Sequence, residues 1–176
     1  IYSGYTIEPF LAAWDLSLSR CQDLHMRFVV HTNNIKLLRE LLCKYPWASA
    51  RTEVGLRMNH GDIVARYGAA DLLVLSTLDD LSIPGKLFEY IRSGTPVLAF
   101  AVAGAESHAL LAETGTGWTT PHDDVEAGAA ALASCYDKWC RGEPLTQPVP
   151  AAVAGLERKV AYAHVFAALN EITSRA

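Results

Sequence analysis

The chain has 176 residues, of which 51% are hydrophobic and 19% charged, and its formal net charge is −4. This composition supplies enough apolar material for one ordinary domain or two small ones, and it excludes a disordered chain. The small negative charge argues against a nucleic-acid binder, although it leaves room for a ligand whose phosphates meet one or two local cations. No apolar run reaches the roughly 18 residues of a transmembrane helix.

The start of the chain and its cysteines indicate the cellular context. The chain begins with Ile1 rather than Met, and no charged and then apolar signal peptide is visible, so we expect a piece of a longer protein or one trimmed at its start. Cys21, Cys43, Cys135 and Cys140 form neither a C-x-x-C pair nor the spacing of a zinc site. We expect four reduced thiols, most of them partly buried, in a cytoplasmic protein.

Strand-like and helix-like segments alternate along the chain. Residues 1–4 are typical of a strand that enters a turn, and apolar residues at helical spacing over residues 7–18 predict the first helix. Further strands are predicted, in order, at residues 27–31, 52–58, 72–75, 97–100 and 118–119. The helices between and after them are predicted at residues 35–42, 62–67, 86–92, 107–113 and 125–136.

This alternation with short links predicts an α/β fold with a doubly wound parallel sheet. The continuous aliphatic runs at 72–75 and 97–100 indicate strands that are buried on both faces. We divide the chain into a domain over residues 1–140, a linker rich in Pro and Gly over 141–150, and a last helix over 151–176. Because this helix lies outside the alternation, we expect it to pack across an edge or to extend towards another domain.

One loop and the helix after it carry most of the chemical information. Ser82 is a candidate N-cap, and Pro84 falls in the first helical turn, where its missing N–H has no cost. The N–H groups of this turn can hold a phosphate, since Gly85 permits close approach and Lys86 adds a cation. Glu89 shares a face with Lys86, and a carboxylate there can accept two hydroxyls, as from a ribose. One helix can therefore bind a phosphate and a diol side by side, which suits a nucleotide diphosphate.

Simpler interpretations of these polar residues stay open. Lys86 and Glu89 would then form an ordinary i,i+3 ion pair on a surface helix, worth a few tenths of a kcal/mol. His60 and His108 flank predicted loops, where a solvent-facing or capping histidine is the default, and their spacing predicts no metal site. Ser76 lacks a G-x-S-x-G context, which disfavours a hydrolase nucleophile.

Three segments of the chain resemble one enzyme family. The segment P-G-K-L-F-E-Y-I-R-S-G-T-P-V-L-A at residues 84–99 resembles the donor-binding region of group-1, family 4-like glycosyltransferases of the GT-B type, which carry P-x-K-x-x-E-Y-x-x-x-G-x-P-V-L. Residues 63–75 resemble the helix–strand unit that precedes this region in the family. The segments A-E-T-G-T-G-W at 112–118 and H-D-D at 122–124 resemble the part that follows it, and the order of the segments also matches. The resemblance implies the C-terminal, Rossmann-like half of such an enzyme, which binds a nucleotide diphosphate sugar of the UDP or GDP type.

The resemblance also implies roles for single residues. Glu89 matches the family glutamate that binds the donor ribose hydroxyls, and Lys86 matches a lysine near the ribose and the diphosphate. Gly4 matches the glycine of the first strand–helix loop, which lets the diphosphate approach the backbone. Arg57 and Met58 match the loop where the base meets main chain, and Arg57 is either a phosphate contact or an exposed, solvated arginine.

Two further residues complete the candidate site, and two departures from the family pattern accompany it. Ser82 belongs to the predicted phosphate-binding turn. Glu106 either stabilises its own helix by interacting with the helix dipole or contacts the donor sugar.

Many members have two glutamates separated by seven residues, but the earlier position here is Leu81. Many members also carry Arg and Lys after the first-strand glycine, whereas residues 5–9 contain no cation, so Lys86 or an arginine from elsewhere must neutralise the diphosphate.

The resemblance implies the donor-binding half of a glycosyltransferase, which would move a sugar from a nucleotide diphosphate sugar to an unknown acceptor, with retention as in the family. We assign no catalytic residue, cofactor or metal to this chain. The acceptor would bind a missing N-terminal half, so we expect the chain alone to catalyse no transfer, and peripheral membrane association of the full protein stays open. The alternatives are a nucleotide-sugar 2-epimerase-like enzyme and a non-catalytic doubly wound binding module.

Overall fold

The computed structural model describes residues 6–21, 23–78, 80 and 83–157, so the predicted strand at residues 1–4 lies outside the described residues. Within these ranges strands and helices alternate along the chain. The strands are β1 (Phe28–Thr32), β2 (Thr52–Leu56), β3 (Leu73–Ser76), β4 (Val97–Ala101) and β5 (Gly117–Pro121). The helices are α1 (Glu8–Arg20), α2 (Ile35–Leu42), α3 (Pro46–Ala50), α4 (His60–Tyr67), α5 (Gly85–Ser93), α6 (Glu106–Thr114), α7 (Val125–Cys140) and α8 (Pro150–Gly155).

Every strand pairing in the described part of the chain is parallel. β1 pairs with β2, from Phe28 opposite Thr52 to Thr32 opposite Leu56. β4 lies between β3 and β5 and pairs with both. This arrangement confirms the predicted parallel sheet of an α/β fold. Because the strands are parallel, their carboxyl ends meet at one edge of each sheet, where ligands bind in open α/β folds.

Strand β4 separates two hydrophobic cores. All five of its residues are buried. Leu98 and Phe100 belong to the first core, which also contains side chains of α1, α2 and α7. Val97 and Ala99 belong to the second core, which contains side chains of α4, α5 and α6. Helices therefore cover both faces of this sheet, as the continuous apolar sequence of β4 predicts.

Helix α1 supplies the largest side chains of the first core. Phe10 and Trp14 lie one turn apart on its buried stripe, with ring centroids 5.6 Å apart, and Phe10 also contacts the rings of Phe28 and Phe100. Trp14 is only 1% exposed, so its indole packs inside the core and offers no open face to a ligand.

Three helices, α4, α5 and α6, end at a glycine. Gly94 and Gly115 end α5 and α6 in the left-handed conformation, with φ of 76° and 62°, which a glycine adopts without strain. Gly68 ends α4 with φ of −70°, so it needs no left-handed turn. Pro46 follows α2 and begins α3, because the missing N–H of a proline is tolerated in a first turn.

The cysteines differ in part from expectation. All four are free thiols, but Cys21, Cys43 and Cys140 are exposed and only Cys135 is buried, so the prediction that most are partly buried is wrong. Burial raises the pKa of the Cys135 thiol to about 11, which makes it unreactive near neutral pH. The exposed thiols lie at the C-terminal ends of helices α1, α2 and α7.

The segment after α7 runs back over α6. The Val149 N–H donates to the carbonyl oxygen of Thr114 at 2.8 Å, and Val153 and Leu156 of the α8 region pack against the second core. The predicted last helix begins here as α8, and its continuation at residues 158–176 lies outside the described residues. None of the described helices combines the length and the hydropathy that crossing a bilayer requires.

Candidate functional site

Three helices begin at the carboxyl edge on the same face of the molecule. α4, α5 and α6 follow β2, β3 and β4 through short loops, and all three pack over the second core. α5 contacts α4 on one side and α6 on the other. Their first residues, His60, Gly85 and Glu106, therefore lie in a row along this edge, and each helix directs the positive end of its dipole towards it.

The start of α5 differs from the sequence prediction. The N-cap is Pro84, whose ψ of 131° is extended, so Pro84 precedes the first turn and the prediction of Ser82 as N-cap is wrong. The Leu87 N–H donates to the carbonyl oxygen of Pro84 at 2.8 Å and closes the turn. The N–H groups of Gly85 and Lys86 precede this bond and have no partner within the helix. The turn predicted to hold a phosphate therefore consists of Gly85 and Lys86, and Ser82 itself lies outside the described residues.

Lys86 and Glu89 do not form the surface pair that was the simpler interpretation. Lys86 is exposed and makes no ion pair with any residue in the described ranges. The Glu89 carboxylate instead faces α4, with Oε1 4.0 Å from Nε2 of His60. Its side chain is 37% exposed, so one side of the carboxylate stays open to a ligand.

Two tyrosine rings lie close to Glu89. Tyr67 and Tyr90 pack edge to face with centroids 4.8 Å apart. Burial raises the pKa of both hydroxyls, and the nearby Glu89 carboxylate adds to the rise as a smaller cause. The negative charge of Glu89 is therefore close enough to both rings to affect their hydroxyls.

His60 is a member of the site that sequence reasoning missed, because an exposed histidine beside a loop is usually only solvated. It is the first residue of α4, and its side chain is 75% exposed. Asn59 caps the same helix by accepting from the Asp62 N–H at 2.9 Å. The sequence N-H-G-D contains this capping pattern, and it could have placed residue 60 at a helix start on the ligand edge.

The loop between β2 and α4 carries the two residues expected near the base. Arg57 is exposed and Met58 is half-buried. Arg57 forms no ion pair with any other part of the chain that the structure describes, so its guanidinium is available to an anion. Since this loop leads directly into His60, Arg57, Met58, His60 and Glu89 form one continuous surface.

Glu106 lies on the other side of α5. It is the first residue of α6, and its side chain is exposed. Its backbone N–H donates to the carbonyl oxygen of Asp80 at 3.2 Å, and the Thr77 N–H donates to that of Phe100 at 2.9 Å. These bonds hold the loop after β3 against the start of α6. Gly4, the remaining predicted site residue, lies outside the described residues.

Two strands end in buried polar atoms that lack partners. Oγ of Ser76 at the end of β3 and Nε2 of His31 near the end of β1 have no hydrogen-bond partner among the described residues. Nδ1 of His31 is 2.9 Å from the carbonyl oxygen of Leu56, and a Cβ at Gly55 would come within 2.5 Å of the imidazole. Such atoms commonly mark the place where water or a ligand completes the hydrogen bonds. Sequence reasoning missed His31, since only the register of β1 on β2 reveals its contact with Gly55.

No group of three or more His, Cys, Asp or Glu side chains in the described ranges is arranged to hold a metal ion. The groups present at this edge are instead the Glu89 carboxylate, the Lys86 ammonium and the first N–H groups of α5, together with the Arg57 guanidinium from the loop before α4. This combination can bind a neutral diol and an anion next to each other.

Comparison with known proteins identifies the family of this chain. The family model for group 1 glycosyl transferases matches residues 5–138. The chain therefore belongs to the group 1 glycosyltransferase family. A search of curated proteins found no match.

Solved structures share the fold at low sequence identity. Sucrose-phosphate synthase from Thermosynechococcus elongatus matches with a TM-score of 0.69 and 17% identity over 98% of this chain and 44% of its own. The pneumococcal O-GlcNAc transferase GtfA, in complex with UDP and GlcNAc, matches with a TM-score of 0.64 and 14% identity over 96% of this chain and 33% of its own.

A third structure, Anabaena HepE in complex with UDP, matches with a TM-score of 0.56 and 14% identity over 78% of this chain and 38% of its own. The chain thus spans less than half the length of these three proteins. The likeness shows the Rossmann-like α/β fold of GT-B glycosyltransferases.

Proposed function

We propose that this chain binds a nucleotide diphosphate sugar and forms the donor-binding half of a retaining glycosyltransferase. The observation that carries the proposal is the position of Glu89, an open carboxylate between the phosphate-binding turn of α5 and the loop at Arg57 and Met58. Family membership supports sugar transfer as the reaction class. UDP in two of the similar structures supports a nucleotide as the ligand.

The row of helix starts suggests how the nucleotide lies. The base would meet the main chain at Arg57 and Met58, and the ribose hydroxyls would donate to Glu89. The diphosphate would then accept from the N–H groups of Gly85 and Lys86, with the Lys86 ammonium as its cation. Each moiety of the ligand meets a group of suitable charge, and no metal is needed for any of these contacts.

The chemical contribution of this half would be electrostatic. When the bond between the sugar and the phosphate breaks, negative charge grows on the leaving diphosphate. The dipole of α5 and the Lys86 ammonium stabilise that charge in proportion to its growth, which lowers the barrier. The acceptor would bind a separate N-terminal half, towards which the helix after residue 150 would extend. The isolated chain is therefore expected to bind the donor without transferring the sugar.

The first prediction concerns nucleotide binding by the 176-residue chain. Titration with UDP, GDP and ADP, followed by tryptophan fluorescence or amide chemical shifts, should give a saturable response to at least one of them. Glu89→Gln should weaken that nucleotide roughly 10-fold to 100-fold, because hydrogen bonds to a charged acceptor are worth about 1.5–3 kcal/mol. Lys86→Met should weaken the diphosphate but leave the free nucleoside unchanged.

Matched controls make this result specific. Glu113→Gln, at the exposed end of α6, and Lys36→Met, on the exposed face of α2, carry the same changes of charge away from the edge. Neither should alter nucleotide binding. Absence of any nucleotide response would favour a non-catalytic module, and a response that survives both site substitutions would place the nucleotide elsewhere. Conversion of the donor sugar to its 2-epimer without an acceptor would favour the epimerase.

A further inference from the structure

A cavity opens at the amino ends of β1 and β2, the edge opposite to the one that carries the candidate donor site. Its volume is about 330 Å³, and seven residues line it. They come from the segment before β1 and from the turn between α3 and β2, among them His25, Met26, Arg27, Arg51 and Glu53. Because a strand of five residues is about 16 Å long, the cavity is separated from the loop at Arg57 and Met58 by roughly that distance.

Arg51 joins the two segments that line this cavity. Its Nη1 donates to the carbonyl oxygen of Leu24, before β1, at 3.0 Å. Its backbone N–H donates to the carbonyl oxygen of Ala48 in α3 at 3.1 Å, and its own carbonyl oxygen accepts from the Phe28 N–H at 3.0 Å. Side chain and backbone therefore both hold the walls in place, so the cavity is formed before a ligand arrives.

The rim of the cavity carries a hydrogen-bond donor and an acceptor that are only loosely paired. Nη1 of Arg27 is 3.4 Å from Oε2 of Glu53, and these side chains are 72% and 55% exposed. An ion pair of this kind adds little to stability, so a ligand can replace it at small cost. A guanidinium donates and a carboxylate accepts, which suits adjacent hydroxyl groups, since each hydroxyl does both. An anion would instead be repelled by Glu53, and a cation by Arg27 and Arg51.

An exposed aromatic pair of α7 lies next to the cavity. The His25 N–H donates to the Tyr136 hydroxyl at 3.3 Å, which connects the cavity lining to this helix. The Trp139 ring stacks on that of Tyr136, with centroids 6.1 Å apart and an angle of 22° between the planes. Nε1 of Trp139 donates to Oδ1 of Asp71 at 3.2 Å. The indole is thus fixed by two contacts, although Trp139 is 53% exposed.

A fixed and exposed indole is suited to stacking against a sugar ring. The C–H groups on a face of a pyranose are apolar and can cover the indole, while its hydroxyls stay available to polar partners. The Tyr136 and Trp139 centroids alone are 6.1 Å apart, and the cavity lies beyond Tyr136. Contact with both the indole and the cavity therefore requires more than one sugar ring.

The polarity of this edge disfavours a protein partner. The cores of protein–protein interfaces are depleted of charged residues, whereas Arg27, Arg51 and Glu53 all line the cavity beside the aromatic pair. A saccharide, in contrast, uses charged and aromatic side chains together, because it has hydroxyls at its rim and C–H groups on its faces.

We propose that the amino-edge surface, formed by His25, Arg27, Glu53, Tyr136 and Trp139, binds a neutral oligosaccharide. One ring stacks on Trp139, and the hydroxyls of a neighbouring ring bond to Arg27 and Glu53. A saccharide agrees with the reaction class of the family, which transfers sugars. This binding site goes beyond the proposed function, since neither the nucleotide nor any residue of the carboxyl edge takes part in it.

Saccharide titrations of the 176-residue chain without nucleotide test the proposal. Maltotriose, cellotriose, mannotriose and chitotriose are each added to millimolar concentration, while amide and indole chemical shifts are followed. At least one trisaccharide should give a saturable response and should bind more tightly than its monosaccharide. The largest shifts should occur at the Trp139 indole and at residues 25–27 and 51–53.

Two substitutions test the contacts separately. Trp139→Ala should weaken the trisaccharide roughly 5-fold to 10-fold, whereas Trp139→Phe, which keeps an aromatic ring, should weaken it less. Glu53→Gln should weaken it by a similar factor, because it removes a charged acceptor. Phe88→Ala, which removes a 40% exposed ring from α5, and Glu113→Gln at the end of α6 are the matched controls and should have no effect.

The remaining outcomes would overturn the proposal. They are the absence of a response to all four trisaccharides, and binding that survives both Trp139→Ala and Glu53→Gln. Displacement of the saccharide by UDP would place it at the carboxyl edge. A dimer in sedimentation experiments that Trp139→Ala dissociates would show that a second copy of the chain covers the indole. Since nucleotide binding is measured in separate titrations, each of these failures leaves the proposed function standing.

Discussion

Glu8 illustrates how a single charge is held at the surface of this fold. Its Oε1 accepts from Nζ of Lys44 at 2.9 Å and from the hydroxyl of Tyr45 at 3.2 Å. The Lys44 hydrogen bond lowers the pKa of the Glu8 carboxyl, and the same contact raises the pKa of Lys44. Because both side chains are largely solvated, the contact adds little to stability, although the direction of the Glu8 pKa shift is clear.

The pH dependence of stability follows from the lowered pKa of Glu8. The unfolded chain binds a proton at Glu8 near pH 4.5, whereas the folded chain holds it only at lower pH. The Glu8 contribution is therefore complete above pH 4.5 and is lost as the pH falls through the lowered value. Urea unfolding between pH 7 and pH 3 should show a small decrease in the free energy of unfolding of the unmodified chain as the pH falls. Glu8→Gln should make this decrease smaller. Glu113→Gln, an exposed change without this contact, serves as the control, and an equal effect of both variants would contradict the assignment.

At the scale of the element, local signals predicted most helices and strands but not all of their ends. The apolar stripe of α1 and the aliphatic run of β4 were sufficient, since burial repeats the periodicity of the sequence. α3 was missed because Pro46 can either follow one helix or begin the next. The N-cap at Ser82 was wrong because the extended backbone of Pro84 delays the helix by two residues.

In the candidate site, too, local sequence signals predicted some features and missed others. The spacing of Lys86 and Glu89 placed both on one face of α5, where the structure has them. The spacing could not reveal that Glu89 faces His60, because that contact joins two helices across a long-range packing surface. Contacts of this kind depend on the arrangement of elements, which periodicity does not encode.

Close packing of α7 leads to an element-scale prediction. A Cβ at Gly128 would lie 2.7 Å from the Phe100 ring and 2.8 Å from Cβ of Ala13, so Gly128→Ala should overpack the first core and lower the free energy of unfolding by about 1–3 kcal/mol. Gly61→Ala, in α4, meets only the Asn59 side chain at 3.6 Å and should be neutral or stabilise by up to about 1 kcal/mol. Thermal unfolding measures both variants. An equal loss of stability at both positions would show that close packing around Gly128 does not distinguish the two glycines.

At the scale of the whole molecule, the two cores depend on one strand. Leu98 and Val97 are adjacent in β4, and neither is exposed. Because the same backbone supports both cores, loosening one of them should loosen the other. We expect the described part of the chain to unfold as one cooperative unit.

Leu98→Ala tests this dependence. It should lower the free energy of unfolding by about 2–5 kcal/mol, as core leucine truncations do, while Leu56→Ala, at a side chain that is 75% exposed, should change it by less than about 0.5 kcal/mol. Hydrogen exchange should then show faster opening of α5 and α6 as well as of α7. Faster exchange confined to α1 and α7 would mean that the two cores open separately.

The composition of β4 has a consequence for the accuracy of folding. Its two faces are equally apolar but unequal in volume, with Leu98 and Phe100 on one side and Val97 and Ala99 on the other. A strand that slipped by one residue would still bury only hydrophobic groups, so hydrophobicity alone does not reject that alignment. The mismatch in size does, because the large side chains would enter the tighter core and the small ones would leave voids in the other. Shape, rather than polarity, therefore distinguishes the correct alignment of this strand from its nearest competitor.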